Sequence, residues 1–333
     1  MKIELTYCSE TLALEIQTLG NHPKERIQQE VNSFYFQNSK HDNCSNYRGI
    51  TLLNSGYKTY AKIIAQCFKT ISETVLLEEQ NGFRIGRSCV DNVFIINLYR
   101  TAFKQIMEKR REFNLETHMA FLDLEKAFDR VDRNQLWQIL NRRGIPYHLI
   151  EVIKSPYKNT SVHIDTGKKI LEKMYINQGV QQGCNLSPTI FNIYIDDLLR
   201  NWKHKVDAGI VLKRNLYLNT LLFADDQVII QDSEDKLQKS VCMLNQMSKG
   251  YNLKISTDKT KIMAFKGKHI KRFKTEIDGS ILEQVKRFNY LGCELSLDGD
   301  PDFDKKNQQI PKNMRHYQKT FTENSYRHPN EIL

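Results

Sequence analysis

The sequence predicts an α+β fold in which helices cover a sheet of the split βαβ kind. This prediction rests on the order of patterns from residue 119 onward, which is a strand, a helix, two paired strands, a helix and a further strand. A second observation is that the first strand and the paired strands each carry aspartate at one end. The fold would therefore hold several carboxylates at the ends of buried strands.

The first strand pattern, residues 119–124, ends in a single carboxylate, Asp123. A turn follows it, and then an amphipathic helix that Asp132 is suited to cap and that Gly144 and Pro146 are suited to end. The apolar stripe of this helix consists of Leu136, Trp137, Ile139 and Leu140. Taken alone, Asp123 could also be a solvated residue at the corner between a strand and a helix.

Two further aspartates, Asp225 and Asp226, lie at the predicted tip of a β-hairpin formed by residues 220–224 and 227–230. Aspartate is common in turns, so the hairpin alone does not indicate a site. If Asp123 lies on a neighbouring strand, however, three carboxylates converge and require divalent cations between them, for which Mg²⁺ is suited. Two such ions can activate an attacking hydroxyl and stabilise a leaving pyrophosphate, which is the chemistry of nucleotidyl transfer.

A third acidic pair, Asp196 and Asp197, lies in the middle of an apolar helical pattern. Adjacent residues of a helix point about 100° apart, so the two carboxylates cannot converge on one ion. We interpret this pair as solvated helix surface or as a cap-like contact.

Composition limits the class of protein. The 333 residues suffice for one large core or for two or three subdomains, and the formal net charge of +10 favours a polyanionic partner. The seven cysteines include no Cys-x-x-Cys pair, which favours reduced thiols over disulfides or zinc ligation. The sequence contains no signal peptide and no run of eighteen apolar residues, so it predicts an intracellular protein, nuclear or cytoplasmic, without a membrane span.

The remaining patterns place the other elements. Residues up to about Lys40 are weakly patterned, residues 47–71 have helical spacing, and residues 82–88 form a basic loop before an apolar helix at 90–107. A second glycine-containing loop, 178–188, leads into a helix with Ser187 as N-cap and Pro188 as its first residue. Further patterns predict a helix at 234–247, a helix-to-strand passage at 253–265 and a last strand at 288–292.

With these segments placed, the chain resembles reverse transcriptases, and most closely those of non-long-terminal-repeat (LINE-like) retrotransposons. Seven ordered blocks carry the resemblance: 46–54 with Tyr57 and Lys58, 80–88, 121–129, 182–188, 223–226, 258–261 and 290–292. A single Ala-Asp-Asp motif is weak, whereas seven blocks in the right order are hard to obtain by chance.

The resemblance implies a right-hand polymerase with a ferredoxin-like palm, helical fingers and a truncated thumb. By this likeness residues 1–40 are a poorly patterned remnant, 41–115 the fingers, 116–300 the palm, and 301–333 a partial thumb or a disordered tail. Asp123, Asp225 and Asp226 would be the catalytic residues and would hold two Mg²⁺ ions, with Mn²⁺ as a possible substitute. The implied partners are an RNA template, a DNA primer and deoxynucleoside triphosphates.

The resemblance also implies roles for other residues. The positions that match contacts to the incoming nucleotide are Arg48, Lys58, Phe128, Gln182, Gly183 and Lys259. Phe128 would lie beneath the sugar and exclude a 2′-hydroxyl, and Lys259 would protonate leaving pyrophosphate. The positions assigned to nucleic-acid contacts are Arg84, Arg87, Lys261, Lys266 and Lys268. For each lysine or arginine, an ordinary exposed charge is the alternative, and Asp129 is given a structural hydrogen-bonding role.

The chain departs from the family pattern at several positions. Gln181 stands where arginine is usual and Asn185 where proline is usual, and the pattern fades at both ends of the chain. The leading functional hypothesis is an RNA-templated DNA polymerase. The alternative is a decayed retroelement fragment that only binds nucleic acid, while an RNA-templated RNA polymerase fits poorly with Phe128.

Overall fold

The computed structural model describes most of the chain between residues 33 and 296. The described residues are 33–36 and 47–50 as backbone, 55–77, 80, 82–83, 106–158, 160–162, 174–213, 216–267, 269–290 and 293–296. Most of the predicted N-terminal remnant, Arg84, Arg87, most of the predicted helix at 90–107, Lys268 and the tail at 301–333 lie outside these residues.

The helices and strands follow in chain order. The helices are α1 (Ser55–Glu73), α2 (including 106–112), α3 (Ala127–Arg130), α4 (Arg133–Arg142), α5 (Tyr147–Lys154), α6 (Ser187–Lys203) and α7 (Glu234–Gly250). The strands up to the hairpin are β1 (Ser33–Phe36), β2 (Tyr47–Ile50), β3 (Glu116–Leu122), β4 (Ser161–Val162), β5 (Met174–Tyr175), β6 (Ile210–Lys213), β7 (Leu216–Leu218), β8 (Thr220–Phe223) and β9 (Asp226–Gln231). The later strands are β10 (Lys261–Lys266), β11 (His269–Ile270), β12 (Glu276–Ile277), β13 (Ser280–Ile281), β14 (Glu283–Gln284), β15 (Arg287–Tyr290) and β16 (Cys293–Ser296).

The central sheet has the strand order β11–β10–β3–β9–β8, with β14 paired to β10. Strand β3 is antiparallel to both β9 and β10, and β8 is antiparallel to β9. It follows that β3 runs parallel to β8, and β9 parallel to β10, with one strand inserted between the members of each pair. Helices connect each parallel pair, which confirms the predicted split βαβ arrangement of a ferredoxin-like sheet.

The sheet is buried on both faces, because alternate residues of its strands enter two different hydrophobic clusters. Ala120 and Leu122 pack with the helices on one face, whereas Met119 and Phe121 pack on the other. On that second face the Phe121 ring lies 4.5 Å from the ring of Phe288 in β15. A strand covered on both sides must be apolar throughout, which explains the continuous apolar run that precedes Asp123.

Helix α4 begins and ends as the sequence predicts. The Asp132 side chain accepts hydrogen bonds from the backbone N–H groups of Asn134 (2.8 Å) and Gln135 (3.1 Å). Gly144 follows the helix with a φ of +77°, a left-handed conformation that glycine adopts without strain. The predicted helices at 187 and 234 are also present, although α6 starts at Ser187 with Leu186 as its N-cap residue.

The helix predicted for residues 47–71 starts later than predicted. Residues 47–50 form strand β2, which pairs antiparallel with β1, and the helix begins at Ser55. The sequence contains Gly49 within this stretch, which lowers helix propensity, and pairing with β1 supplies the backbone hydrogen bonds that a helix would otherwise provide. The weakly patterned region before Lys40 therefore contains a strand.

The interpretation of Asp196 and Asp197 as solvated helix surface is wrong, because both side chains are buried. Their charges are neutralised inside the protein. The groups that donate to Asp197 are Arg142 (2.6 Å), Arg143 (2.9 Å) and the Tyr251 hydroxyl (2.7 Å), and those that donate to Asp196 are Arg200 (2.7 Å) and the Leu77 N–H (2.6 Å). The pair thus ties α6 to α4 and to the chain that follows α1.

Two general predictions can be compared with the described residues. In the described part of the chain, Cys184 and Cys242 are free thiols. No helix in the described ranges has both the length and the apolar character that crossing a bilayer requires.

We expect Asp197→Ala to lower the free energy of unfolding by about 3 kcal/mol or more, because the partly buried Arg143 and the buried Tyr251 hydroxyl would lose their acceptor. Urea denaturation followed by circular dichroism measures the change. Glu112→Ala is the matched control, since Glu112 forms an exposed pair with Lys109 that contributes at most about 1 kcal/mol. Similar small losses in both variants would contradict a stabilising role for the network.

Candidate active site

The register of the central sheet brings Asp123 next to the hairpin. The last pair between β3 and β9 is Leu122 with Gln227, so the next opposing positions are Asp123 and Asp226. Directly opposed residues of antiparallel strands lie roughly 4.5–5.5 Å apart at Cα and share one face. Two carboxylates that are far apart in the sequence are therefore neighbours at one edge of the sheet.

The third carboxylate, Asp225, lies in the loop of the β8–β9 hairpin. Phe223 pairs with Asp226, so the two-residue loop consists of Ala224 and Asp225. The hairpin is confirmed, but Asp226 is the first residue of β9 and not a loop residue as predicted. Ala224 has a φ of +59°, a left-handed conformation that costs about 1–2 kcal/mol in a residue with a Cβ.

The three carboxylates influence one another electrostatically. The pKa of Asp226 is raised to about 6, first because surrounding protein atoms displace part of its water and then because Asp225 and Asp123 are negatively charged. Oxygen-only donors of this type suit Mg²⁺ and Mn²⁺. With the side chains as they stand, no group of three His, Cys, Asp or Glu residues within the described ranges is arranged to hold a metal ion.

The segment before β10 fixes the backbone of Asp123. The Asp123 carbonyl accepts a hydrogen bond from the Ser256 N–H (2.8 Å), and its N–H donates to the Thr260 hydroxyl (3.4 Å). The same segment places Lys259 Nζ 3.7 Å from Asp123 Oδ2. Lys259, which the resemblance assigns to pyrophosphate, therefore lies at the carboxylate cluster.

Phe128 lies in α3, the single helical turn that follows Asp123. Its ring stacks on Phe191 of α6, with centroids 4.4 Å apart and planes inclined by 19°. The Phe128 side chain is partly exposed, whereas Phe191 is fully buried. The stacking holds one face of the Phe128 ring against the core and restricts its movement.

The loop that carries Gln182 packs on this turn. The Val180 N–H donates to the Phe128 carbonyl (2.8 Å), and Gln182 Nε2 donates to Asp129 Oδ1 (3.0 Å). Asp129 thus has the structural hydrogen bond that we predicted for it. Gly179 has a φ of +81°, and a Cβ there would lie 2.8 Å from the Asp129 carbonyl oxygen, so glycine permits this close approach.

Two buried side chains support the loop from behind. Arg133 donates to the carbonyls of Gly179 (2.8 Å) and Ile176 (2.6 Å). The Tyr57 hydroxyl donates to Gln181 Oε1 (3.0 Å), which connects α1 to the loop at the position where the family usually has arginine. Burial keeps the Tyr57 hydroxyl protonated by raising its pKa.

The residues predicted to contact the nucleotide from the fingers are only partly described. Lys58 is exposed on α1, immediately after Tyr57. The backbone of Arg48 is opposite Tyr35 in the pairing of β1 with β2, and its side chain lies outside the description.

The predicted nucleic-acid contacts on β10 are not brought together. Lys261, opposite Phe121, is at the acidic end of the strand and pairs with Glu283 at 2.7 Å. Lys266, opposite Glu116, is at the other end, roughly 17 Å away at about 3.4 Å per residue. Arg84, Arg87 and Lys268 lie outside the described residues.

Several supporting residues were missed from the sequence. They are Ser256, Thr260, Arg133, Tyr57 and Gln80, whose Oε1 accepts a hydrogen bond from the Ala224 N–H (3.1 Å). Most of these contacts go to backbone groups, which have no sequence signature. The available signal was that Tyr57, Gln80 and Thr260 lie within three of the seven family blocks.

Comparison with known proteins gives a family match over most of the chain. Residues 38–295 match the family described as "Reverse transcriptase (RNA-dependent DNA polymerase)". Similar curated proteins include the transposon TX1 uncharacterized 149 kDa protein of Xenopus laevis, 28% identical over 199 residues, which are 59% of this chain and 15% of that protein. The RNA-directed DNA polymerase from mobile element jockey of Drosophila melanogaster is 24% identical over 259 residues, 75% of this chain and 26% of that protein. The chain thus spans a minor part of these relatives.

Solved structures show the same fold. Apo telomerase from Candida tropicalis superimposes with a TM-score of 0.54 at 12% identity, covering 88% of this chain and 52% of that chain. Telomerase from the same organism in complex with a fragment of telomeric RNA gives 0.53 at 14% identity, covering 80% of this chain and 44% of that chain. At such low identity the likeness establishes the architecture, which is that of a right-hand polymerase.

We expect Ala224→Gly to raise the free energy of unfolding by up to about 1 kcal/mol, because glycine adopts a positive φ without strain. Ala120→Gly is the matched control. Ala120 is buried in β3, where glycine increases the entropy of the unfolded chain and removes a packed methyl group, so this variant should be destabilised. Thermal denaturation of both variants measures the difference. Equal destabilisation by the two substitutions would show that the loop is not strained at Ala224.

Proposed function

The chain belongs to the reverse transcriptase (RNA-dependent DNA polymerase) family, and from this membership we propose that it copies an RNA template into DNA. The substrates would be an RNA template, a DNA primer and deoxynucleoside triphosphates. The observation that carries the proposal is the opposition of Asp123 to Asp226 at the sheet edge, with Asp225 in the adjoining loop. This edge offers oxygen ligands at the point where a primer end and a triphosphate would have to meet.

We propose that Asp123, Asp225 and Asp226 are the catalytic carboxylates and hold two Mg²⁺ ions, for which Mn²⁺ can substitute. When bound, such ions lower the pKa of an attacking hydroxyl and stabilise charge on the phosphates. The contribution of the protein is to hold the carboxylates in place. Strand pairing fixes Asp226, the hairpin loop fixes Asp225, and the hydrogen bonds from Ser256 and to Thr260 fix Asp123.

Selection of the sugar is assigned to Phe128. A ring held against Phe191 cannot swing away from a bulkier sugar, so a 2′-hydroxyl would meet a rigid surface. Gln182 and Gly183 lie on the loop that packs beside this ring and would contact the nascent base pair. Lys259 would supply positive charge, and the proton on its Nζ, to the departing pyrophosphate, and Lys58 and Arg48 would bind the triphosphate from the other side.

The central sheet forms the proposed palm, residues 116–300, and α1 falls within the proposed fingers, residues 41–115. Contacts to the phosphate backbone of the template and primer are proposed for Arg84, Arg87, Lys261, Lys266 and Lys268, in keeping with the formal net charge of +10. The opposite ends of β10 occupied by Lys261 and Lys266 would then contact phosphates well separated along a duplex.

We expect Asp225→Asn to reduce primer extension on poly(rA)/oligo(dT) by more than about 100-fold, because a cation site that loses one charged ligand loses several kcal/mol of transition-state stabilisation. Incorporation of labelled dTTP with Mg²⁺ measures the rate. Asp235→Asn, the same exchange at an exposed residue in the first turn of α7, is the control and should leave the rate unchanged.

The same assay separates the polymerase from the decayed, binding-only alternative. Equal extension by the wild type and by Asp225→Asn would remove the catalytic assignment. Salt-dependent binding of an RNA–DNA duplex without any Mg²⁺-dependent extension by the wild type would instead support a fragment that only binds nucleic acid.

We expect Phe128→Val to raise the ratio of ribonucleotide to deoxynucleotide incorporation at least about tenfold, since removing the ring removes the obstacle to the 2′-hydroxyl. Single-nucleotide incorporation of dTTP and UTP on the same template measures the ratio. Phe113→Val changes an exposed aromatic residue remote from the turn and serves as the control. An unchanged ratio in Phe128→Val would assign Phe128 to the core alone.

A further inference from the structure

The loop of the catalytic hairpin is held by one buried side chain from a distant part of the sequence. We propose that Gln80 is a positioning residue, whose side-chain amide fixes the backbone of Ala224 and thereby sets the place of the Asp225 carboxylate. The proposal adds a supporting residue to the proposed catalytic site. Its predicted effect on cation binding rests on the proposed function. The hairpin contact itself is independent of that function.

The Gln80 amide reaches the hairpin loop from the β8 side of the sheet, whereas the contacts that hold Asp123 come from the β10 side. Its Oε1 accepts from the Ala224 N–H at 3.1 Å, and its Nε2 donates to the Ala224 carbonyl at 3.5 Å. The same Oε1 accepts from the Gly82 N–H at 3.1 Å. Gln80 is buried, and its backbone forms a parallel bridge with Leu222 of β8. One side chain thus pairs with both backbone polar groups of a single loop residue.

The loop needs such a partner because of its geometry. In a two-residue hairpin loop the first loop residue has no opposite residue in the ladder, so its N–H and carbonyl need partners elsewhere. Ala224 is buried and has a φ of +59°, so a strained residue must keep its backbone groups satisfied away from water. Without these hydrogen bonds, a less strained conformation of the loop would move Asp225.

A second contact holds the same segment against the loop. A Cβ on Gly82 would lie 2.6 Å from the Ala224 nitrogen, so the two backbones are in van der Waals contact. The carbonyl of Gly82 accepts a hydrogen bond from Asn192 Nδ2 (2.5 Å) on α6. The segment is therefore anchored to a buried helix on one side and to the hairpin loop on the other.

A primary amide is suited to this place for a chemical reason. Only a group with a donor and an acceptor side by side can satisfy the N–H and the carbonyl of one residue. Glutamate would lose the donor and would add a negative charge close to Asp225, whereas leucine would preserve volume and lose both hydrogen bonds. An amide provides both contacts and no charge.

The test compares hydrogen exchange and cation binding in full-length variants. In Gln80→Leu we expect the Ala224 amide to exchange at least about tenfold faster than in the wild type, because its hydrogen bond to Gln80 is lost. Mn²⁺ affinity, measured by electron paramagnetic resonance on a template–primer that lacks a 3′-hydroxyl, should fall at least about tenfold. Template–primer affinity without metal should not change.

Gln231→Leu is the matched control. Gln231 is also a buried glutamine, at the far end of β9, where its Nε2 donates to the Ser240 hydroxyl (3.0 Å). The Gln231→Leu variant should be less stable than the wild type, with unchanged hydrogen exchange at the loop and unchanged Mn²⁺ affinity. Gly82→Ala is the second variant, since its Cβ would push on the Ala224 nitrogen and should also speed exchange at the loop and weaken Mn²⁺ binding.

The outcomes separate the two proposals. Unchanged exchange at the Ala224 amide in Gln80→Leu, or an equal change in Gln231→Leu, would overturn the positioning role. Faster exchange with undiminished Mn²⁺ affinity would overturn the link between loop position and cation binding. If exchange is faster in Gln80→Leu but the wild-type protein neither binds Mn²⁺ nor extends primers, the role of Gln80 in holding the loop stands and the polymerase assignment is removed.

Discussion

The candidate site depends on the register in which β3 pairs with β9. Leu122 lies opposite Gln227, and this pairing alone brings Asp123 opposite Asp226. Because both strands are apolar on both faces, alternation of apolar and polar residues does not fix their register. At the Asp123 end of β3, hydrogen bonds to the segment before β10 hold the strand in place: the Asp123 N–H donates to the Thr260 hydroxyl (3.4 Å), and the Asp123 carbonyl accepts from the Ser256 N–H (2.8 Å). A slip of one residue between β3 and β9 would separate the acids.

This chain contains two pairs of sequence-adjacent aspartates, and their comparison shows what distinguishes a structural acid pair from a cation site. Asp196 and Asp197 are buried, and arginines from α4 and α6 neutralise them. Within the described residues, Asp225 and Asp226 form no such ion pairs, and mutual repulsion with Asp123 contributes to the raised pKa of Asp226. The first pair already has its cations, whereas the described lysine nearest to the second, Lys259, approaches the neighbouring Asp123 (3.7 Å) and forms no ion pair with Asp225 or Asp226. That difference favours the second as the place for external cations.

Sequence patterns predicted the elements in which side chains follow a period. The strand before Asp123, the hairpin and the Asp132-capped helix were all recognisable because apolar spacing and capping residues reflect local geometry. Helical spacing places Arg200 next to Asp196, but the burial of Asp196 could not be predicted, since Arg143 and the Leu77 N–H reach it only through the packing of other elements. The strand at 47–50 was missed because its pairing with β1 is a long-range contact that overrides the helical spacing.

The described groups that fix the backbone around the acids share the property of carrying no charge. Around the acids, the groups that fix the backbone are neutral: the Gln80 amide at Ala224, and the Thr260 hydroxyl and Ser256 N–H at Asp123. Elsewhere the protein uses arginine for the same task, as Arg133 does in supporting the loop at 176–179. An arginine at the acids would position them equally well but would also neutralise them, in competition with a bound cation. Neutral hydrogen bonds separate the two effects, because they restrain the carboxylates without adding positive charge of their own.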